Sequence, residues 1–388
     1  MFTHVPPTSA TTTAAVGGLL ALLFLYQRGF HVSIFTSSSV TDMLVRLRAM
    51  TTSWVVNLSG TSSSLSKLPA VELLAPNVIR VLGLNPGRMT LQGTNTYIVG
   101  TGKRRALIDT GDGSSNYIGL LQATLKQHGV DGISDVLLTH GHFDHLGGCW
   151  ALQQAFPDAR FWKLLTYNQP STIAEPGSTC ECSAHVTNAF CLDQFHMHDL
   201  YPLCLSGEGV QVEGASIRAV ATPGHTNDHV CFLLDDPSHG LAVFTGDCVL
   251  GEGTCTFQCL SEYMASLETL RQLKPARLFP GHGPVLANAT AAIDMYISHR
   301  QQRENEILAL LASVADATPS EIVAQLYPNL PFALTFPAKR NVQLHLNKLI
   351  VEKRVAATSR TRGGLFTASV YTLVPAAKAP STTTTSSL

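Results

Sequence analysis

Thr139-His-Gly-His-Phe-Asp-His145 places four metal-ligating side chains within six residues, directly after the apolar run Ser134-Asp-Val-Leu-Leu-Thr139. A cluster this dense needs a rigid strand end to present it, because functional side chains sit on loops that a scaffold fixes. Imidazole and carboxylate are the ligands Zn²⁺ accepts in catalytic centres, which keep a position open for water. The remaining ligands must come from distant sequence. They stand at His225 in Thr222-Pro-Gly-His-Thr226, Asp247 in Phe244-Thr-Gly-Asp247 and His282 in Phe279-Pro-Gly-His-Gly-Pro284, each beside a tight turn after a β-like run. Seven ligands exceed what one tetrahedral zinc can use, so two ions per chain are expected. Two such ions lower the pKa of a bridging water and clamp attacking and leaving oxygens, which points to hydrolysis.

The chain has 15 histidines, so the count alone selects none of them. His185, His196, His198 and His239 lack such a context and read as surface or core residues. His229, in His225-Thr-Asn-Asp-His229, reads equally as a substrate contact, as a residue orienting a ligand, or as a satisfied structural histidine.

Around the cluster, Asn77 to Leu82, Asn95 to Val99 and Arg105 to Asp109 read as strands, Tyr117 to His128 as an amphipathic helix, and Ser134 to Thr139 as the next strand. Later strands are expected near residues 216–221, 229–234 and 242–245. The stretch 172–202 breaks this pattern and reads as an insertion. Its Cys180, Cys182, Cys191, His185, His196 and His198 suggest a second zinc site, but lack the usual Cys-x₂₋₄-Cys framework. Residues 1–68 are Ser/Thr-rich, have no acid before Asp42, and carry Arg28, Arg46 and Arg48 after the apolar run Ala14 to Tyr26. That run is about half the roughly 20 residues of a bilayer span, so no stable membrane span is expected. The segment reads as a transit sequence, mitochondrial before plastid, with a cytoplasmic protein carrying an unstructured tail as the other possibility. Nine cysteines are too sparse for a disulfide scaffold and cannot all pair, which fits a reducing compartment.

Beyond Pro284 the pattern turns helical: Ala291 to Leu311, a capping box at Thr318-Pro-Ser-Glu321, then about Ala338 to Lys353. A strand pair turning at Arg362-Gly-Gly364 follows, and three helices with a hairpin make a winged-helix pattern over residues 286–375. The tail, 376–388, is low-complexity. The net charge of −1 excludes a basic field over the whole molecule. Between Ala333 and Thr372, however, Lys339, Arg340, Lys348, Lys353, Arg354, Arg360 and Arg362 face one acid, Glu352. Lys339, Arg340 and Lys348 are therefore the candidate phosphate contacts. Nothing in the sequence assigns an oligomeric state.

The ordered set His140-x-His-x-Asp-His145, His225, Asp247 and His282 resembles the ligand set of the metallo-β-lactamase fold. The stretches Asn85 to Tyr97, Phe244 to Thr254, Tyr263 to Leu267 and Tyr296 to Arg300 resemble the mitochondrial β-lactamase-like endoribonuclease branch. The resemblance implies an α/β sandwich of αββα type over residues 69–285 with a C-terminal winged-helix-like domain. It implies His140, His142 and His225 on one zinc, Asp144, His145 and His282 on the other, and Asp247 bridging. It implies an endoribonuclease cleaving single-stranded RNA through a metal-bridging hydroxide that attacks phosphorus, with Asp144 and Asp247 as the catalytic carboxylates, Asp144 orienting that hydroxide and Asp247 holding it. Fungal acyl-carrier thioesterases of the same fold share much of the Val249 to Arg300 region, which keeps an acyl thioesterase as the alternative. A noncatalytic nucleic-acid-binding module would leave the intact ligand set without a use.

Overall fold

A computed structural model describes residues 65–164, 200–203, 205, 209–236, 240–362 and 366–374. The segment before residue 65 that reads as a transit sequence, the candidate second zinc site, His239 and the tail lie outside the described residues.

The first sheet is mixed. β1 (Val71–Ala75), β2 (Val78–Leu82), β3 (Asn95–Val99) and β4 (Arg104–Ile108) pair antiparallel, and β5 (Gly132–Leu138), β6 (Arg160–Lys163) and β7 (Leu200–Pro202) extend it in parallel. The stretch read as an insertion through Pro202 therefore ends in a strand of this sheet. Three residues are too few for a period-two pattern to show. The second sheet is built of β8 (Val210–Val212), β9 (Ala215–Ala221), β10 (Val230–Asp236), β11 (Gly240–Gly246) and β12 (Arg277–Pro280). It runs in the order β12-β11-β10-β9-β8, and only its β11–β12 pair is parallel.

Alternation along the strands sorts side chains between layers. On β10, Val230, Phe232 and Leu234 enter the core shared by the two sheets with Tyr97, Val99 and Ile108. Cys231 and Leu233, between them in sequence, face α4 (Leu260–Leu273) and the first half of α5 (Ala289–Ser313). On the other side Ile79, Val81, Ile98 and Leu107 pack on α1 (Ser115–Gln127) and α3 (Cys149–Ala155); α2 (Phe143–Leu146) is a single turn after β5. The result is the expected αββα sandwich.

The helix α5 belongs to two cores. Its Ile293 and Tyr296 pack under the second sheet, while Ile307 and Leu311 join Ile322, Val342, Leu346, Leu349, Val355 and Tyr371. The latter come from α6 (Pro319–Leu326), α7 (Phe332–Val351) and the hairpin β13 (Val355–Arg362) and β14 (Phe366–Leu373), which complete a winged helix. The capping box forms as read: Thr318 Oγ1 accepts from Glu321 N–H, and the Glu321 carboxylate accepts from Thr318 N–H. The third helix starts at Phe332, six residues before the expected Ala338. Pro337 looks like a stop because it lacks an N–H, but in the second turn this costs one hydrogen bond that the apolar packing behind it outweighs.

Folding pairs three of the seven bases of this domain with acids. Lys348 Nζ donates to Glu304 and Glu352 at 2.6 Å each, and its side chain is only 11% exposed. Arg354 donates to the same Glu304 at 2.7 Å, and Arg360 pairs with Asp316 and Glu321. Lys348 is thus a structural ion-pair residue and is withdrawn as a phosphate contact. Glu304 is buried beneath two cations, so Glu304→Gln leaves both short of a charged acceptor. A loss of about 1.5–3 kcal/mol is expected, the range for hydrogen bonds to charged groups. A urea midpoint equal to that of wild type would contradict this ledger.

Candidate metal centre

All seven expected ligands converge at one edge of the sandwich, on loops leaving the C-terminal ends of strands. β5 delivers His140, and His142 is the N-cap of α2, so Asp144 and His145 lie on its first turn. His225 sits in the β9–β10 loop. There Gly224 has φ +125°, and a Cβ on it would lie 2.3 Å from the backbone nitrogen of Tyr263, so only glycine lets α4 approach this closely. Asp247 follows β11 and His282 follows β12. Gly281 donates to the Gly246 carbonyl at 2.7 Å, and a Cβ on Gly281 would meet Asp247 Oδ1 at 2.7 Å.

Two donor groups form: His140, His142, His225 and Asp247, and Asp144, His145 and His282, the donor atoms of each within 4.8 Å of one another. In the first, His142 Nδ1 is 3.0 Å from both His140 Nε2 and His225 Nε2. In the second, His145 Nε2 and His282 Nε2 are 3.3 Å apart, and Asp144 Oδ2 is 3.3 and 3.2 Å from them. Asp247 stands between the groups. Its Oδ1 is 3.3 Å from His145 and from His282, while its Oδ2 is 3.5 Å from His225 and 4.0 Å from His140.

The donors fit divalent metal. His145 Nδ1 faces Asp109 Oδ2 at 2.7 Å, and His225 Nδ1 faces the Thr256 carbonyl at 2.7 Å. Each acceptor fixes the proton on Nδ1, so each Nε2 turns a bare lone pair into the pocket. Asp247 Oδ1 is buried without a hydrogen-bond donor. Burial opposes charge on His145 and His282, yet the surrounding Asp144 and Asp247 carboxylates, with Asp109 beside His145, raise His145 well above the ordinary imidazole value and His282 to about 10. Burial and the neighbouring imidazoles instead lower His142 to about 4. The pocket thus calls for positive charge between lone pairs, the environment a cation satisfies.

Residues that motif reading does not reach hold this arrangement. Asp109, at φ +59°, accepts from Thr139 N–H at 2.8 Å as well as from His145. Thr94 Oγ1 lies 3.1 Å from Asp144 Oδ2, and Asn85 Oδ1 accepts from Thr94 N–H at 2.8 Å. Buried Lys163 donates to Asp228 Oδ2 at 2.6 Å, and that carboxylate lies against Gly141, between His140 and His142. His229 is fully buried, with Nδ1 2.8 Å from Thr222 Oγ1 and Nε2 accepting from Asp247 N–H at 3.2 Å. With both nitrogens engaged it positions Asp247, and the substrate-contact reading of His229 is withdrawn. Lys339 and Arg340 are exposed on α7, away from the ligand set in sequence.

Residues 89–178 match the Metallo-beta-lactamase superfamily, and residues 318–363 match the Beta-lactamase associated winged helix domain. The chain is 40% identical over 294 residues to the Beta-lactamase-like protein 2 homolog of Drosophila melanogaster, covering 74% of this chain and 92% of that protein. It is 38% identical over 275 residues to the atrochrysone carboxyl ACP thioesterase of Passalora fulva, covering 70% and 74% of the two chains. A beta-lactamase domain protein from Burkholderia ambifaria shares the fold, with TM-score 0.60 at 19% identity over 82% of this chain and 98% of that one.

Proposed function

Since the chain belongs to the metallo-β-lactamase superfamily, we propose that it is a dinuclear zinc hydrolase that cleaves single-stranded RNA. The observation that carries the dinuclear reading is the Asp247 carboxylate, one oxygen toward each donor group. His140, His142 and His225 would hold one ion, Asp144, His145 and His282 the other, with Asp247 shared. Zinc held there would supply Lewis acidity and lower the pKa of bound water toward neutrality. The chain's own residues set the geometry. Asp109 and the Thr256 carbonyl aim the imidazole lone pairs, Thr94 turns Asp144 inward, and His229 fixes the backbone of Asp247. Asp144 is the more exposed carboxylate, at 23% of its side chain against 11% for Asp247, and is the residue proposed to orient the attacking water.

RNA as substrate is supported by the motif stretches shared with the mitochondrial endoribonuclease branch and by exposed Lys339 and Arg340. The acyl thioesterase reading is kept because a thioesterase relative covers most of the chain and because Lys348, Arg354 and Arg360 are spent on internal ion pairs. Both reactions use the same ligands. Purified protein dialysed against zinc is expected to hold two ions by elemental analysis and to turn over single-stranded RNA faster than an acyl thioester. One ion with full activity would remove the dinuclear reading, and the reverse substrate order would transfer the assignment to thioesters.

A further inference from the structure

The start of α7 exposes side chains that neither its core nor the metal centre uses. Phe332 is 94% exposed and Phe336 51%, and Lys339 and Arg340 are exposed in the next turn. At 100° per residue these four fall within one arc of the helix, in its first turns, before Val342, Leu346 and Leu349 close the winged-helix core. Lys339 and Arg340 make no ion pair among the described residues, in contrast to Lys348, Arg354 and Arg360. Phe332 and Phe336 are one helical turn, about 6 Å, apart along the axis.

We propose that this face is a binding surface for single-stranded RNA, in which Phe332 and Phe336 stack on unpaired bases while Lys339 and Arg340 meet the flanking phosphates. Stacking rings and adjacent cations are what single-strand recognition requires, because every base has a π-face and every linkage a charge. The two cations give the surface the sign a polyanion needs, and the rings distinguish unpaired strands from a duplex, whose bases are stacked on each other. The inference rests on the reading of the chain as an RNA hydrolase and names where the substrate is gripped.

The test uses the full-length zinc-loaded protein and a fluorescent oligouridylate of about twelve nucleotides, within the usual range of site sizes. Stopped-flow anisotropy reads binding before cleavage. Phe332→Ala/Phe336→Ala is expected to lower affinity at least about tenfold, with the salt dependence unchanged. Lys339→Ala/Arg340→Ala is expected to lower the slope of log affinity against log salt by about 1.4, two phosphates at about 0.7 each. Phe332→Tyr/Phe336→Tyr keeps both rings and restores binding. Wild-type affinity in the Phe-to-Ala pair overturns the surface. A drop in that pair's sedimentation coefficient shows that the face joins two copies of the chain, and overturns it equally. So does a loss confined to binding of phosphatidylserine vesicles. A wild-type protein that binds the oligomer through these rings yet hydrolyses no RNA defeats the nuclease reading and leaves the surface standing.

Discussion

Asp247→Ala is expected to lower kcat on the true substrate by more than the roughly 10–100-fold that loss of a residue merely supporting a ligand costs. The carboxylate lies 3.3 Å from both His145 and His282 and 3.5 Å from His225, so its removal opens both donor groups together. Zinc content should fall with activity, because two buried sets of imidazoles lose the charge between them. A defect made only in the transition state lowers kcat and kcat/KM alike, whereas a lost grip on distant substrate raises KM. The α7 variants belong to the second class, and the contrast separates chemistry from binding within one protein. An Asp247→Ala enzyme with two tightly held zincs and kcat within about threefold of wild type would remove Asp247 from the chemistry.

The candidate metal ligands are legible in the sequence because their signal is local: four donors in six residues, and three more beside Gly in tight turns. The strands that lead into them are legible as short apolar runs ended by Gly, His or Asp, because β5 and β11 are buried along nearly their whole length. What supports the ligands is not legible. Asp109 precedes His145 by 36 positions and Lys163 precedes Asp228 by 65, and each contact exists only after the sheets have packed. His229 lies within reach of motif reading, but its role depends on which nitrogen meets Asp247 N–H, a fact of tertiary geometry.

The C-terminal domain shows the opposite failure, a local signal that folding partly cancels. Counting charges between residues 333 and 372 gives one acid against seven bases, yet Glu304, Asp316 and Glu321 arrive from α5, α6 and the turn between them to neutralise Lys348, Arg354 and Arg360. Charge on a segment is a property of the chain, whereas a binding face is a property of what remains unpaired on the surface. The aromatic pair Phe332 and Phe336 is missed for a related reason. Pro337 places the expected start of the helix after both residues, so their helical spacing cannot be recognised.

Asp109→Asn is expected to weaken zinc binding by about 10–100-fold in the group of Asp144, His145 and His282, and to cut activity in step at limiting zinc. Asp109 is buried, and its carboxylate serves three donors at once: Oδ1 accepts from Thr139 N–H at 2.8 Å, the Thr139 hydroxyl donates to the same carboxylate at 2.9–3.0 Å, and Oδ2 accepts from His145 Nδ1 at 2.7 Å. Asn keeps an oxygen for Thr139 but presents its amide N–H₂ toward His145, which already donates from that nitrogen. The imidazole must then turn or change tautomer, and the lone pair that faced His282 is lost from the pocket. Because Thr139 keeps its acceptor, the fold should survive with a melting temperature near that of wild type. Asp109→Ala, by contrast, strands the buried Thr139 N–H and should also destabilise by about 1–3 kcal/mol. A positioning role predicts that excess zinc restores the Asn variant toward wild-type kcat. Zinc dependence identical to wild type would show that Asp109 supports the strand end alone, whereas a defect that no zinc concentration repairs would place it in the chemistry itself.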